Sequence, residues 1–175
     1  MKMKLISPSI EYAGQIMAYR REFLEEGGSM DGCGTLRHCD NAEDWLKSVE
    51  AMKNAETCPP DRVPATHFLF IRESDGKLVG MIQIRHYFND FLRKYAGHIG
   101  YSVCPSERRK GYATQMLRMA LPECRRLRLD RVLISCERSN VGSRGTILNN
   151  GGVYESPVYL QERDIYLERY WIDMK

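Results

Sequence analysis

Ile99-Gly100-Tyr101-Ser102-Val103-Cys104-Pro105-Ser106-Glu107-Arg108-Arg109-Lys110-Gly111-Tyr112-Ala113-Thr114 is the stretch from which the fold is read. An apolar run closes at Cys104-Pro105, a basic run follows, and Gly111 opens a segment of helical period. There Ala113, Met116, Leu117, Ala120, Leu121, Cys124 and Leu127 form one stripe. The unit is a strand, a tight loop and a helix. A helix N-terminus offers up to four unpaired amides and a partial positive charge. Small residues at 111 and 113 let a ligand approach those amides, and Arg108, Arg109 and Lys110 add full charges beside them. This combination suits a diphosphate or another multiply charged anion. Taken alone, Gly111 is also a turn residue and the basic run also a solvated face, so the context has to decide.

Upstream, Lys4-Leu5-Ile6 reads as a short strand stopped by Ser7-Pro8. A helix runs from about Ser9 to Glu26, carrying Tyr12, Ile16, Tyr19 and Phe23 on one face, and Gly27-Gly28 ends it. Ser29 to Cys39 is a loop. Asp40 or Asn41 can cap a second helix, Ala42 to Lys53. Thr66–Arg72 and Lys77–His86 are strands around Glu73-Ser74-Asp75-Gly76, a hairpin turn, while Tyr87–Ala96 fits no single period. Gly97 to Val103 is the next strand. The helix that follows extends to about Arg128 and contains Pro122, which removes one intrahelical hydrogen bond and predicts a kink. Arg131–Cys136 is a buried-looking strand, and Asn140–Asn149 a short helix closed by Asn150-Gly151-Gly152. Val153–Leu160 and Ile165–Ile172 are the last strands, with Pro157 marking a bulge or an edge in the first of them.

Composition sets the outer bounds. At 175 residues, one domain spanning 1–175 is expected, large enough to bury a core without staples. A net charge of +3 is compatible with an anionic ligand but too small for a duplex-binding surface, and Arg125-Arg126-Leu127-Arg128 reads as a solvated helix end, so no nucleic-acid partner is expected. No apolar run approaches the length of a membrane span, and the N-terminus lacks a secretory apolar core. With reduced thiols the simplest state of the six cysteines, a cytoplasmic protein without membrane or metal is the expectation. No C-x-x-C, H-E-x-x-H, G-x-S-x-G, P-loop or G-x-G-x-x-G string is present.

In this context the chain resembles the GNAT superfamily of acetyl-coenzyme A-dependent N-acetyltransferases. The resemblance rests on Val103 closing a strand, Arg108-x-x-Gly111-x-Ala113 opening a helix, the strand through Cys136, and Asn140-x-x-Ser143 before Asn150-Gly151-Gly152. The order β-α-α-β-β-β-α-β-α-β-β, read above from the periods, is also that family's order. More narrowly, Arg62-Val63-Pro64, Arg85-His86, Asn89-Asp90 and Gly97–Val103 look like a poorly characterised bacterial group within it. The resemblance implies an α/β acyl-CoA N-acyltransferase fold, a mixed central sheet of about seven strands with four helices. It implies acetyl-CoA as cosubstrate, its pyrophosphate on the amides of Arg108, Arg109, Lys110, Gly111, Tyr112, Ala113 and Thr114. The pantetheine arm would run along Tyr101, Ser102 and Val103, with Asn140 bonded to it and Ser143 close by.

It further implies direct attack of a primary amine on the thioester, the acceptor being a small molecule or a peptide. The chemistry requires a base, a polarised carbonyl and a neutralised thiolate. Amides near Val103 can polarise the carbonyl. His98 stands where several family members carry a glutamate, and its ordinary pKa of ~6.5 suits a base; His86 is the second candidate, with Asp90 a partner for either. Many relatives place a tyrosine acid four residues after Ser143, where this chain has Ile147; Tyr154, Tyr101 and Tyr159 are the substitutes, or no acid is used. The loop Ser29–Gly34 and the segment Arg85–Tyr95 are expected to shape the acceptor side, with Asp31, Asp90 and Glu107 able to attract a cationic amine. Ile147 also leaves open a non-catalytic acetyl-CoA or CoA sensor. Pairing of the last strands into a homodimer is possible for this fold.

Overall fold

The computed structural model describes residues 2–174. Four strands form one antiparallel sheet in the order β1 (Met3–Ile6), β2 (Ala65–Arg72), β3 (Lys77–Arg85), β4 (Ile99–Val103). Three more form a second, in the order β5 (Arg131–Glu137), β7 (Ile165–Asp173), β6 (Val153–Leu160). The helices are α1 (Ala13–Glu26), α2 (Ala42–Ala51), α3 (Tyr112–Arg126) and α4 (Val141–Leu148). The seven strands and four helices expected from the sequence are therefore present, with the strands divided four and three.

Both faces of the first sheet are covered, which is why β2 and β3 read as near-continuous apolar runs instead of alternating ones. Leu69, Ile71, Leu78 and Met81 pack with Ile16, Tyr19 and Phe23 of α1 and Trp45 of α2. Phe70, Val79, Ile82 and Ile84 pack with Met116, Leu117 and Ala120 of α3. A register shift between Phe70 and Ile71 leaves Val79 unpaired, so Val79 and Gly80 turn toward the same helix. Beyond it the alternation resumes, and Gln83 and Arg85 share the α1–α2 side with Met81. That parity puts two polar side chains on a face that is otherwise apolar.

The caps follow the sequence. Asn41 accepts from Asp44 N–H at 2.8 Å to start α2, and Asn140 accepts from Ser143 N–H at 3.0 Å to start α4. The first helix differs from expectation at its start, where Ile10–Tyr12 form a 3₁₀ turn. α3 continues from Tyr112 to Arg126 through Pro122 and does not end there. The proline ring and Arg118, whose carbonyl loses its partner, both lie on the solvent side, so water can replace the missing bond. Pro157 lies on β6, an edge strand whose register shifts between Tyr154 and Ser156, which satisfies both readings of that proline. The ambiguous segment Tyr87–Ala96 ends in a single π turn, Leu92–Ala96. The fourth strand begins at Ile99, two residues later than expected, because Gly97 has φ +68° and approaches the Leu133 carbonyl too closely for any Cβ. Among the described residues, no helix is long and apolar enough to cross a membrane.

Candidate active site

Among the described residues, the two sheets are bridged at that glycine and the histidine after it. Gly97 bridges Ile134, and His98 N–H donates to the Leu133 carbonyl at 2.8 Å. Beyond this bridge β4 and β5 diverge and form no ladder, so the main-chain edge of β4 at 101–103 opens onto a cleft of about 1060 Å³. Tyr101, Ser102 and Val103 line one wall, Ser135, Cys136 and Glu137 the other, with the start of α3 and the start of α4 at the two flanks. Two polar features of the cleft are open to a ligand among the described residues. The Ser135 hydroxyl is buried and unpaired. The N-cap of α3 is Gly111, at φ +80°, which has no side chain to satisfy the amides of the first turn; the first backbone bond there runs from Gln115 N–H to the Gly111 carbonyl at 3.2 Å. An orphaned hydroxyl on one wall and an uncapped helix at the flank suit a ligand with a polar arm and an anionic end.

The basic run is less free than its sequence suggests. Arg108 donates to Glu26 at 2.5 Å and to the Val103 carbonyl at 3.3 Å, and lies over the Phe23 ring. Lys110 is bonded to Glu107 at 2.8 Å. Glu107 itself is buried and also receives Arg72 at 2.8 Å and Lys77 at 2.7 Å. Burial alone would raise its pKa, but the hydrogen bonds from Lys110, Lys77 and Arg72 outweigh that and hold it at about 2. Glu107 is thus a permanent anion that anchors the loop, in contrast with the acceptor-attracting role expected of it. Arg109, at φ +63° on the cleft wall, is the member of the run left without an ion pair among the described residues.

On the α4 side, Tyr101 Oη lies 2.8 Å from Ser143 Oγ, tying β4 to α4 across the cleft. Burial, the largest influence, raises its pKa above the ordinary phenol range, so the hydroxyl stays protonated. Of the substitute acids, Tyr101 lines the cleft. Tyr154 is 49% exposed and packs edge-on against Tyr170, and Tyr159 donates to Asp164 at 2.6 Å.

Neither histidine lines the cleft. His98 is buried, stacked on Phe88 with ring centroids 3.9 Å apart, and its Nδ1 accepts from Leu133 N–H at 3.0 Å. An accepting Nδ1 places the ring proton on Nε2, so no lone pair remains for a substrate proton. Burial first, and the Arg85 charge second, lower its pKa to about 4. The geometry gives His98 the work of pinning β4 to β5, which corrects the expectation of a base. His86 Nε2 lies 2.8 Å from Thr66 Oγ1, outside both cavities described here. The structure predicts an acid-sensitive seam. A depressed histidine pKa means that the neutral form stabilises the fold, fully above pH 6.5, and that this contribution fades as pH falls toward 4. Stability should fall by up to about 1.4 kcal/mol per pH unit for this one proton. In His98→Asn that share of the slope should vanish in urea titrations at pH 6.5 and 4.5; an unchanged slope would contradict it.

Sequence reasoning missed Ser135 and reached Arg85 only as the first residue of the segment expected to shape the acceptor side. A lone hydroxyl inside Val132-Leu133-Ile134-Ser135-Cys136 was the available signal for the first. Asp31 is expected from sequence both as a carboxylate able to attract a cationic amine and as part of the acceptor-side loop Ser29–Gly34. Its loop packs on β4 so closely that Gly32 could carry no Cβ beside the Gly100 carbonyl.

The acetyltransferase (GNAT) family model matches residues 31–149. No curated protein matches the chain. Among solved structures, Mycobacterium smegmatis RimJ in complex with CoA-disulfide is 20% identical, with TM-score 0.71 over 98% of this chain and 81% of that one. The ribosomal-protein-S5-alanine acetyltransferase from Vibrio fischeri is 16% identical, with TM-score 0.72 over 100% and 94%. The microcin C7 self-immunity acetyltransferase MccE in complex with acetyl-CoA and AMP is 17% identical, with TM-score 0.69 over 98% and 92%. At these identities the likeness is one of fold, while the family model spans well over half of the chain. The chain belongs to the acetyltransferase (GNAT) family and is an N-acetyltransferase with acetyl-CoA as its cosubstrate.

Proposed function

We propose that this single-domain, cytoplasmic enzyme moves the acetyl group of acetyl-CoA directly to a primary amine, with no covalent enzyme intermediate. The observation that carries the reading is the wedge between β4 and β5, which joins an uncapped α3 N-terminus to an open strand edge and an unpaired Ser135 hydroxyl. In it, the amides of residues 109–114 and the Arg109 charge take the pyrophosphate. The edge of β4 at Tyr101–Val103, Ser135 and the Asn140-capped start of α4, with Ser143, take the pantetheine arm. All six cysteines are free thiols, as expected in a reducing compartment.

The acceptor nitrogen attacks the thioester carbon, the C–S bond breaks, and the thiolate leaves. Asp31 lines the cleft and has no cation partner among the described residues, so it is the group to hold the ammonium and take its proton. The Tyr101 hydroxyl, protonated and linked to Ser143, is the donor to the departing sulfur. A thiolate is a tolerable leaving group near neutral pH, so this donor is helpful without being indispensable.

Thermal unfolding with and without acetyl-CoA tests the reading. At ~100 times Kd the ligand should add about 2.7 kcal/mol, several degrees in Tm. Release of free CoA thiol over a broad amine panel should follow, with Tyr101→Phe lowering kcat about tenfold at little change in acetyl-CoA affinity. Absence of any shift would overturn the reading. Tight binding with no turnover of any amine would favour the sensor alternative that Ile147 leaves open.

A further inference from the structure

A second cavity, of about 380 Å³, lies on the α1–α2 side of β3. Its volume is that of a small-molecule site. It is walled by the loop at 30–34, by Val63 and by Phe91-Leu92, and the parity of β3 turns Gln83 and Arg85 into it. Asp31, Arg85 and Phe91 line both this cavity and the acetyl-CoA cleft, so a molecule held here meets the cleft at those three side chains.

Four charged side chains line it. Asp31, Asp61 and Arg62 line the cavity from exposed positions and Arg85 from within the sheet. Among the described residues none of the four forms an ion pair. Elsewhere Glu107 takes three cations and Glu168 two. Arg85 uses Nη1 for the Gly97 and Ala96 carbonyls, at 3.1 and 3.4 Å. Its Nη2 lies 3.4 Å from where a Cβ on Gly100 would stand, beside the strand that backs the cleft, and among the described residues neither Nη2 nor Nε has an acceptor. Burial, only partly offset by the Asp31 charge, pushes the guanidinium down to about 10. A guanidinium with three of its five donors unused, no carboxylate partner and an open cavity before it is placed to receive a ligand that supplies the counter-charge.

We propose that this cavity is the acceptor subsite and that the acceptor is a small amine bearing an acidic oxyanion group, held by the fork of Arg85 with its ammonium on Asp31 at the junction with the cleft. The inference rests on the acetyltransferase reading and narrows it. An amino acid, or a molecule of similar size with carboxylate or phosphonate, matches one cation and one anion within ~380 Å³. A polyamine or an aminoglycoside would bring only cations against Arg62 and Arg85, and the N-terminal residue of a peptide has no α-carboxylate to offer them.

The test uses matched triads in the presence of acetyl-CoA, each an amino acid, its carboxamide and its aminophosphonate. Thiol release by the wild-type protein should show kcat/KM at least tenfold higher for one or both acids than for the carboxamide. Arg85→Gln should bring the members to parity. Equal rates within the triads would overturn the proposal while leaving acetyl transfer intact. Should no triad be turned over, thermal unfolding of the CoA-bound protein with each member added reads the subsite directly. Extra stabilisation by an acid and not by its carboxamide supports the proposal, and no difference overturns it. Should Arg85→Gln fail to fold for want of the Gly97 and Ala96 bonds, the wild-type comparison decides alone.

Discussion

Gly111→Val is expected to raise the Kd for acetyl-CoA at least ~100-fold, about 2.7 kcal/mol, in a protein that remains folded. Gly111 caps α3 at φ +80°, and a Cβ there meets nothing within 4 Å. The added Cβ therefore has open space around it, and the branched side chain is expected to obstruct a ligand approaching the first-turn amides. The same φ lies in the left-handed region, where an L-residue costs roughly 1–2 kcal/mol, so the variant should also melt a few degrees lower. Gly111→Ala separates the two effects, since it carries much of the strain with far less obstruction. Near-UV circular dichroism establishes the fold, and titration calorimetry reads the affinity. Retained affinity in the folded valine variant would remove the α3 N-terminus from the acetyl-CoA site.

The contrast between Gly111 and the basic run beside it shows what the sequence can carry. A strand, a glycine and a helical stripe are local signals, and so are the Asn41 and Asn140 caps; all are found where their local patterns put them. The partners of Arg108 and His98 are not local. Glu26 stands 82 positions from Arg108, and the Leu133 amide that occupies His98 Nδ1 stands 35 positions away. A histidine in a strand looks like a base until its lone pair is found taken. The direction of Arg85 was hidden for a related reason. Sequence parity through β3 is broken by the unpaired Val79, so which face Arg85 points to follows only from the observed register.

Glu107→Ala is expected to cost about 3 kcal/mol of stability, the lower end for breaking a buried ion pair, because Lys77 and Lys110 keep partial access to water. The loss leaves Arg72, Lys77 and Lys110 facing one another around an empty centre. Arg72 also bonds Asp75 and the Tyr112 hydroxyl, so the loop that leads into α3 loosens with it and acetyl-CoA affinity falls as well. The pH dependence gives the test its resolution. A folded pKa held at about 2 means that the carboxylate's contribution is complete above its unfolded value of ~4.5 and is lost as pH falls toward 2. The histidine seam acts in a different interval, between 6.5 and 4. Wild-type stability should therefore fall in two stages on acidification, the first shallower in His98→Asn and the second shallower in Glu107→Ala. His67, which burial pushes down to about 3, keeps part of the first stage, and Glu22, Asp75, Glu155 and Glu168, all held low, keep part of the second. Added salt should weaken the second stage, since two of its three cations are half exposed, and leave the first nearly unchanged because the ring is buried. If Glu107→Ala were as stable as the wild-type protein at pH 7, the three-cation cluster would hold nothing together and the geometry of the loop would need another cause.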